Sequence, residues 1–165
     1  MDDTVPTVGT DAPAFTAPVA DKDGITPRDL DAYLDDTPTV LAFFPAAFSS
    51  TCTTEFCTFR DSLGPLATDE ATVLGISTDL PWALAEFRAA ESLPFPLVAD
   101  NDGSICRAYG VRSVYERLGI DGVAQRSVFV LDADGTVTYR WVAESPGTEP
   151  DYEAVADAVE AAGGS

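Results

Sequence analysis

The chain has no histidine, one lysine (Lys22) and one methionine (Met1) among its 165 residues. The missing imidazole excludes Ser-His-Asp and Cys-His catalysis, and it excludes haem or zinc sites built on histidine. A nucleophile here must be activated by a helix terminus or a cation. Basic residues are scarce: 9 against 28 acidic ones, for a net charge of −19. No basic stripe could neutralise phosphates, so nucleic acid is not an expected partner. No apolar run approaches a membrane span, and the acidic start Met1-Asp2-Asp3-Thr4 does not read as a signal peptide. A cytoplasmic protein that avoids the membrane is expected. No Cys-x-x-Cys pair occurs among Cys52, Cys57 and Cys106, which argues against a thioredoxin-type disulfide oxidoreductase. Internal repeats and low-complexity linkers are also missing.

The acids that are present lie spread along the chain, with no block of five or more. Spread acids with almost no lysine look like the surface of a protein from a salt-loving organism. At about 1 M salt the Debye length is roughly 3 Å, so self-repulsion is largely screened. The length and an apolar content of 45% suit a single domain over 1–165 with a sizeable core.

The hydrophobic pattern reads as an α/β fold, a central mixed sheet flanked by helices. Val8 to Ala20, with two prolines, is extended. Thr26-Pro27-Arg28-Asp29-Leu30 opens a short helix to Leu34, with Pro27 at a first helical position. Buried strands are expected at Thr39–Phe44 and Thr72–Ile76, and a helix at Thr53–Leu63. Pro81–Glu91 is a helix with Trp82, Leu84, Ala85 and Phe87 inward. Pro94–Val98 is a short extended piece. Ile105–Tyr109 is a brief helix, followed by a loop to Gln125. Arg126–Leu131 and Thr136–Trp141 flank the turn Asp132-Ala133-Asp134-Gly135, a hairpin signal. Tyr152, Val155, Ala156 and Val159 give a closing helix, and Gly163-Gly164-Ser165 should fray.

Cys52 stands where a buried strand, a proline and a Ser/Thr cluster lead into a helix: Phe44-Pro45-Ala46-Ala47-Phe48-Ser49-Ser50-Thr51-Cys52-Thr53-Thr54-Glu55. The helix dipole and free backbone N–H groups there favour thiolate over thiol, and the thiolate is the nucleophile. Pro45, Ser49 and Cys52, with Glu55 following, occupy a spacing that resembles the active-site motif of the peroxiredoxins. Arg126, at the start of a strand ending in Leu131-Asp132, matches the arginine of that family. The resemblance runs from about Val8 to Ala162.

The resemblance implies a thioredoxin-like fold with the peroxiredoxin N-terminal extension. It implies a thiol peroxidase in which Cys52 is oxidised by hydrogen peroxide or an organic hydroperoxide. Arg126 and the Ser49 hydroxyl would hold the peroxide oxygens, and Pro45 would shield the thiolate. Glu55 would partner the arginine; the alternative is a solvated helix residue. Cys57 has the spacing of the resolving cysteine in the peroxiredoxin Q, or bacterioferritin-comigratory, type. The loop Pro45–Ser49 instead resembles the one-cysteine alkyl hydroperoxidase E type, where an external thiol resolves. Five residues of helix rise about 7.5 Å and turn about 140°. A Cys52–Cys57 disulfide, limited to roughly 7 Å between Cα atoms, therefore requires the helix start to unwind. Cys106 is expected to be structural. No metal or organic cofactor is implied, and the reductant would be thioredoxin- or glutaredoxin-like. Monomers and homodimers both occur in such families. The competing reading is a peroxide-responsive redox sensor or holdase-type interaction protein using the same cysteine.

Overall fold

The computed structural model describes residues 5–34, 37–63, 71–145 and 148–163. The start Met1–Thr4 lies outside them, as do the last two residues of the expected fraying end Gly163-Gly164-Ser165, whereas Gly163 belongs to the last helix. A sheet of seven strands organises the chain: β1 (Thr16–Asp21), β2 (Gly24–Asp29), β3 (Thr39–Phe43), β4 (Thr72–Ser77), β5 (Leu97–Ala99), β8 (Ser127–Leu131) and β9 (Val137–Val142). The order across it is β2-β1-β5-β4-β3-β8-β9. Strands β3, β4 and β5 run parallel, and the strands outside them are antiparallel to their neighbours. The helices are α1 (Ser50–Leu63), α2 (Pro81–Ala90), α3 (Ser104–Ala108) and α4 (Tyr152–Gly163).

Alternation along the central strands divides the core between two faces. Val40, Ala42, Val128 and Val130 share one packed cluster with Cys52 and Phe56 of α1, Leu84 and Phe87 of α2, and Val155 and Val159 of α4. Leu41, Phe43, Phe129 and Leu131 turn to the other face, with Ile105 and Cys106 of α3, Tyr109 and Val111. Each fully buried aliphatic or aromatic side chain contributes roughly 1.5–3 kcal/mol. Gly75 belongs to the first face. A Cβ there would come within 2.6 Å of the Leu97 side chain and 2.9 Å of the Phe56 ring. The missing side chain lets α1 settle onto β4.

Three sequence expectations need correction. Residues 26–34 do not form a helix. Gly24–Asp29 is a strand, and only a 3-10 turn, Leu30–Ala32, remains helical. The turn Asp21-Lys22-Asp23-Gly24 folds β2 back on β1, with the Asp23 N–H donating to Asp21 Oδ1 at 2.8 Å and Gly24 at φ 121°. Pro27 is tolerated because β2 is the sheet edge. The expected loop up to Gln125 contains a hairpin, β6 (Arg112–Tyr115) and β7 (Ile120–Ala124), standing apart from the main sheet. Trp82 is 68% exposed, not inward. It lies 200° around the helix from the buried Leu84, on the opposite side.

Candidate active site

Strand β3 runs buried into Phe44, whose N–H donates to the Ile76 carbonyl at 2.9 Å. Pro45, also buried, then ends the strand direction. The loop that follows is held from the side. The Ala47 N–H donates to Asp79 Oδ2 at 2.8 Å, and the Ser77 hydroxyl donates to the same oxygen at 2.7 Å. Phe48 takes a left-handed backbone, φ 68°, a conformation that costs a non-glycine residue on the order of 1 kcal/mol. Its ring packs against Phe87, with centroids 5.2 Å apart. Helix α1 begins at Ser50, three residues earlier than the pattern predicts, so Cys52 lies within its first turn. The Ser49 carbonyl accepts both the N–H and the hydroxyl of Thr53, each at 2.9 Å.

Cys52 has no exposed surface. Arg126 reaches it from the neighbouring strand for a reason of register. Ser127 pairs with Phe43 across β8 and β3, so the residue before Ser127 stands at the end of β3 where the cysteine loop leaves. Arg126 is itself only 2% exposed. Its Nη2 donates to Cys52 Sγ at 3.3 Å, and its Nη1 forms a buried ion pair with Glu55 Oε1. Glu55 lies three residues after Cys52, which puts both on one helix face toward the guanidinium. Glu55 is thus buried against the guanidinium and not in solvent. Its second oxygen, Oε2, is buried without a hydrogen-bond partner among the described residues.

Burial pushes the Glu55 carboxyl up to about 7, although the Arg126 charge and hydrogen bond pull it down; Glu149 nearby adds to the rise. Between pH 4.5, the ordinary value, and about 7 the folded protein keeps a proton that the unfolded chain has released. The Glu55 contribution to stability is therefore whole below pH 4.5 and is lost as pH rises through about 7. Urea titrations of wild type and Glu55→Gln across this window should show a difference with slope approaching about 1.4 kcal/mol per pH unit. Parallel stability curves would show that Glu55 does not titrate there.

The remaining site residues divide. The Ser49 hydroxyl donates to the Ala46 carbonyl at 2.9 Å, which bends the loop and leaves its oxygen able to accept. Cys57 lies on the same continuous helix as Cys52, and no disulfide is present among the described residues. The Cys57 thiol donates to Glu91 Oε1 at 3.2 Å, just past the end of α2. Cys106 is buried in the cluster on the far face of the sheet from Cys52. Burial, together with Asp100, pushes its thiol strongly upward. Two groups escaped sequence reasoning: Asp79, which anchors the loop, and Glu91. Ser77-Thr78-Asp79 at the end of a buried strand was a readable signal for the first; nothing in the sequence pointed to the second.

The AhpC/TSA family profile matches residues 8–140. A putative peroxiredoxin of Mycobacterium tuberculosis is 40% identical over 133 residues, covering 79% of this chain and 82% of the relative. Peroxiredoxin Bcp of Escherichia coli is 33% identical over 130 residues, covering 78% and 80%. Among solved structures, peroxidoxin BcpB of Mycobacterium tuberculosis superposes with a TM-score of 0.80 at 32% identity, covering 94% of this chain and 97% of that one.

Proposed function

Because the chain belongs to the AhpC/TSA family of peroxiredoxins, and is a thiol peroxidase on a thioredoxin-like fold, we propose that Cys52 is its peroxidatic residue and Cys57 its resolving one. The observation that carries the assignment is the Arg126 guanidinium, buried and shared between Cys52 Sγ and Glu55. The thiolate attacks one peroxide oxygen, the O–O bond breaks, and water or an alcohol leaves; Cys52 becomes a sulfenic acid. Arg126 stabilises the charge moving onto the leaving oxygen. Ser49, whose hydroxyl proton is held by the Ala46 carbonyl, accepts from the peroxide at the loop, and Pro45 keeps water from the sulfur. Because Cys52 is fully buried, peroxide reaches it only when the loop 45–49 or the side chains over it give way. Condensation with Cys57 yields a disulfide, which a thioredoxin- or glutaredoxin-like donor reduces by thiol exchange. The spacing of Cys57 and the similarity to Bcp-named relatives favour this type over the one-cysteine type.

Intact mass after one equivalent of peroxide tests the assignment. The expected product is a monomer lighter by two hydrogens, with the peptides around Cys52 and Cys57 cross-linked. In Cys57→Ser the same treatment should stop at a trappable sulfenic acid, which more peroxide drives to sulfinic acid. A wild type that halts at sulfenic acid works with an external thiol instead. A Cys52–Cys106 bond would require the sheet between their two clusters to open, and finding it would overturn the scheme.

The surface charge supports a second proposal: an enzyme adapted to high salt. At a net charge of −19, self-repulsion destabilises the fold in dilute buffer. Thermal melts should rise by many degrees between dilute buffer and molar potassium chloride. A melting temperature indifferent to salt would contradict the adaptation.

A further inference from the structure

Glu91 closes helix α2 and faces helix α1. It follows the last residue of α2, and its own N–H closes that helix on the Phe87 carbonyl at 3.1 Å. Its Oε1 accepts a hydrogen bond from the Cys57 thiol at 3.2 Å, across 34 residues of sequence. Cys57 is half-buried on α1, while Cys52 and Glu55 of the same helix turn toward Arg126. The helix thus presents its two cysteines to opposite chemical settings. One sulfur faces a guanidinium that favours an anion. The other faces a carboxylate that can take up a proton.

We infer that Glu91 is the general base of the resolving step, accepting the proton of Cys57 as its sulfur attacks the Cys52 sulfenic acid. The inference rests on Cys57 being the resolving thiol. The balance is complete without another reactant. The Cys57 S–H bond breaks and its proton passes to Glu91; an S–S bond forms; the S–O bond of the sulfenic acid breaks. The departing hydroxyl takes up the proton that Glu91 received and leaves as water, which returns Glu91 to its carboxylate form. Cys57 is oxidised and the Cys52 sulfenic sulfur is reduced.

The geometry also decides which cysteine moves. Oxidation converts the sulfur that Arg126 holds into an uncharged sulfenic acid, which weakens that hold. The first turn of α1 then opens more readily at the Cys52 end. The Cys57 end stays hydrogen-bonded to Glu91, whose backbone is fixed to α2. Cys52 therefore comes to Cys57, and the base is already in place when it arrives. An ordinary thiol is only a few per cent thiolate at neutral pH, so an unassisted Cys57 would wait on hydroxide.

The test is quenched-flow mass spectrometry of the full chain after one equivalent of hydrogen peroxide, following the sulfenic acid into the Cys52–Cys57 disulfide from pH 6 to 9. In wild type the resolving rate should be nearly level with pH across neutrality. In Glu91→Gln it should fall about 10²-fold at pH 7, the usual scale for loss of a general base, and should climb tenfold per pH unit toward the wild-type rate. Glu91→Asp, which keeps a carboxylate, should retain the level profile at a reduced rate. Three results overturn the inference: a faster resolution in Glu91→Gln, which would make Glu91 a brake that holds the thiol protonated; a slower one with the level profile kept, which would make it a packing residue; or a Glu91→Asp profile that climbs like that of Glu91→Gln. Failure of the underlying reading looks different, because wild type itself would then form no Cys52–Cys57 disulfide.

Discussion

Cys52→Ser should abolish peroxide consumption and leave the fold intact. The substitution changes one buried atom at a position with no exposed surface, so the packing around Phe56 and Phe87 has little to adjust to. Chemically it removes everything. A hydroxyl is a weak nucleophile until a base takes its proton, and the chain has no histidine to do so. Arg126 cannot substitute, since it carries no lone pair that accepts a proton. Turnover with a dithiol reductant should fall to the rate of the uncatalysed reaction, while circular dichroism and the melting temperature stay close to wild type. Retained turnover would move the nucleophile to Cys57 or Cys106. The same assay on the wild type separates an enzyme from a peroxide sensor. A sensor with intact Cys52 would oxidise once and accumulate, whereas a peroxidase consumes many equivalents while reductant lasts.

The site was legible where its chemistry is local. Pro45, Ser49, Cys52 and Glu55 fall within eleven residues, on a strand end, a loop and the first turns of one helix. Arg126 is distant in sequence, but an apolar strand that pairs with β3 must start near the end of β3, and the pattern showed such a strand. What escaped depends on how helices approach one another. Glu91 meets Cys57 only because α1 and α2 lie side by side on one face of the sheet, a placement that no periodicity encodes. The Asp79 anchor needed β4 to lie beside β3, which makes two strand ends neighbours.

The fold was legible in its interior and less so at its edges. Strands β3, β4 and β8 are apolar because both of their faces are covered, and such runs announce themselves. Strand β2 and the β6–β7 hairpin are mostly exposed and carry prolines, charges and glycines. Their pairing is decided by turns at Gly24 and Gly119, both at positive φ, more than by hydrophobic pattern. Proline at position 27 fits both a first helical turn and an edge strand, and the pairing of β2 with β1 selects the strand.

Arg126→Ala should slow peroxide reduction by about 10²-fold or more, the usual cost of removing one transition-state donor. It should also destabilise the protein, and the two effects have different origins. The rate falls because the donor at 3.3 Å from Cys52 Sγ is gone and nothing stabilises the charge on the leaving oxygen. Stability falls because Glu55, without surface, loses its counter-charge; leaving a buried charge unpaired costs about 3–5 kcal/mol, limited here by protonation of the carboxyl. The double variant Arg126→Ala with Glu55→Gln separates them. Removing the orphaned carboxylate should recover most of the lost stability at neutral pH and none of the lost rate. Stopped-flow oxidation by hydrogen peroxide and denaturant melts on wild type, Arg126→Ala, Glu55→Gln and the double variant decide the matter. If the double variant regains the rate, Arg126 serves the fold and not the peroxide. If Arg126→Ala oxidises as fast as wild type, another cation must approach Cys52. Arg112 is a poor candidate, since it is paired with Asp121 at 3.1 Å on the β6–β7 hairpin.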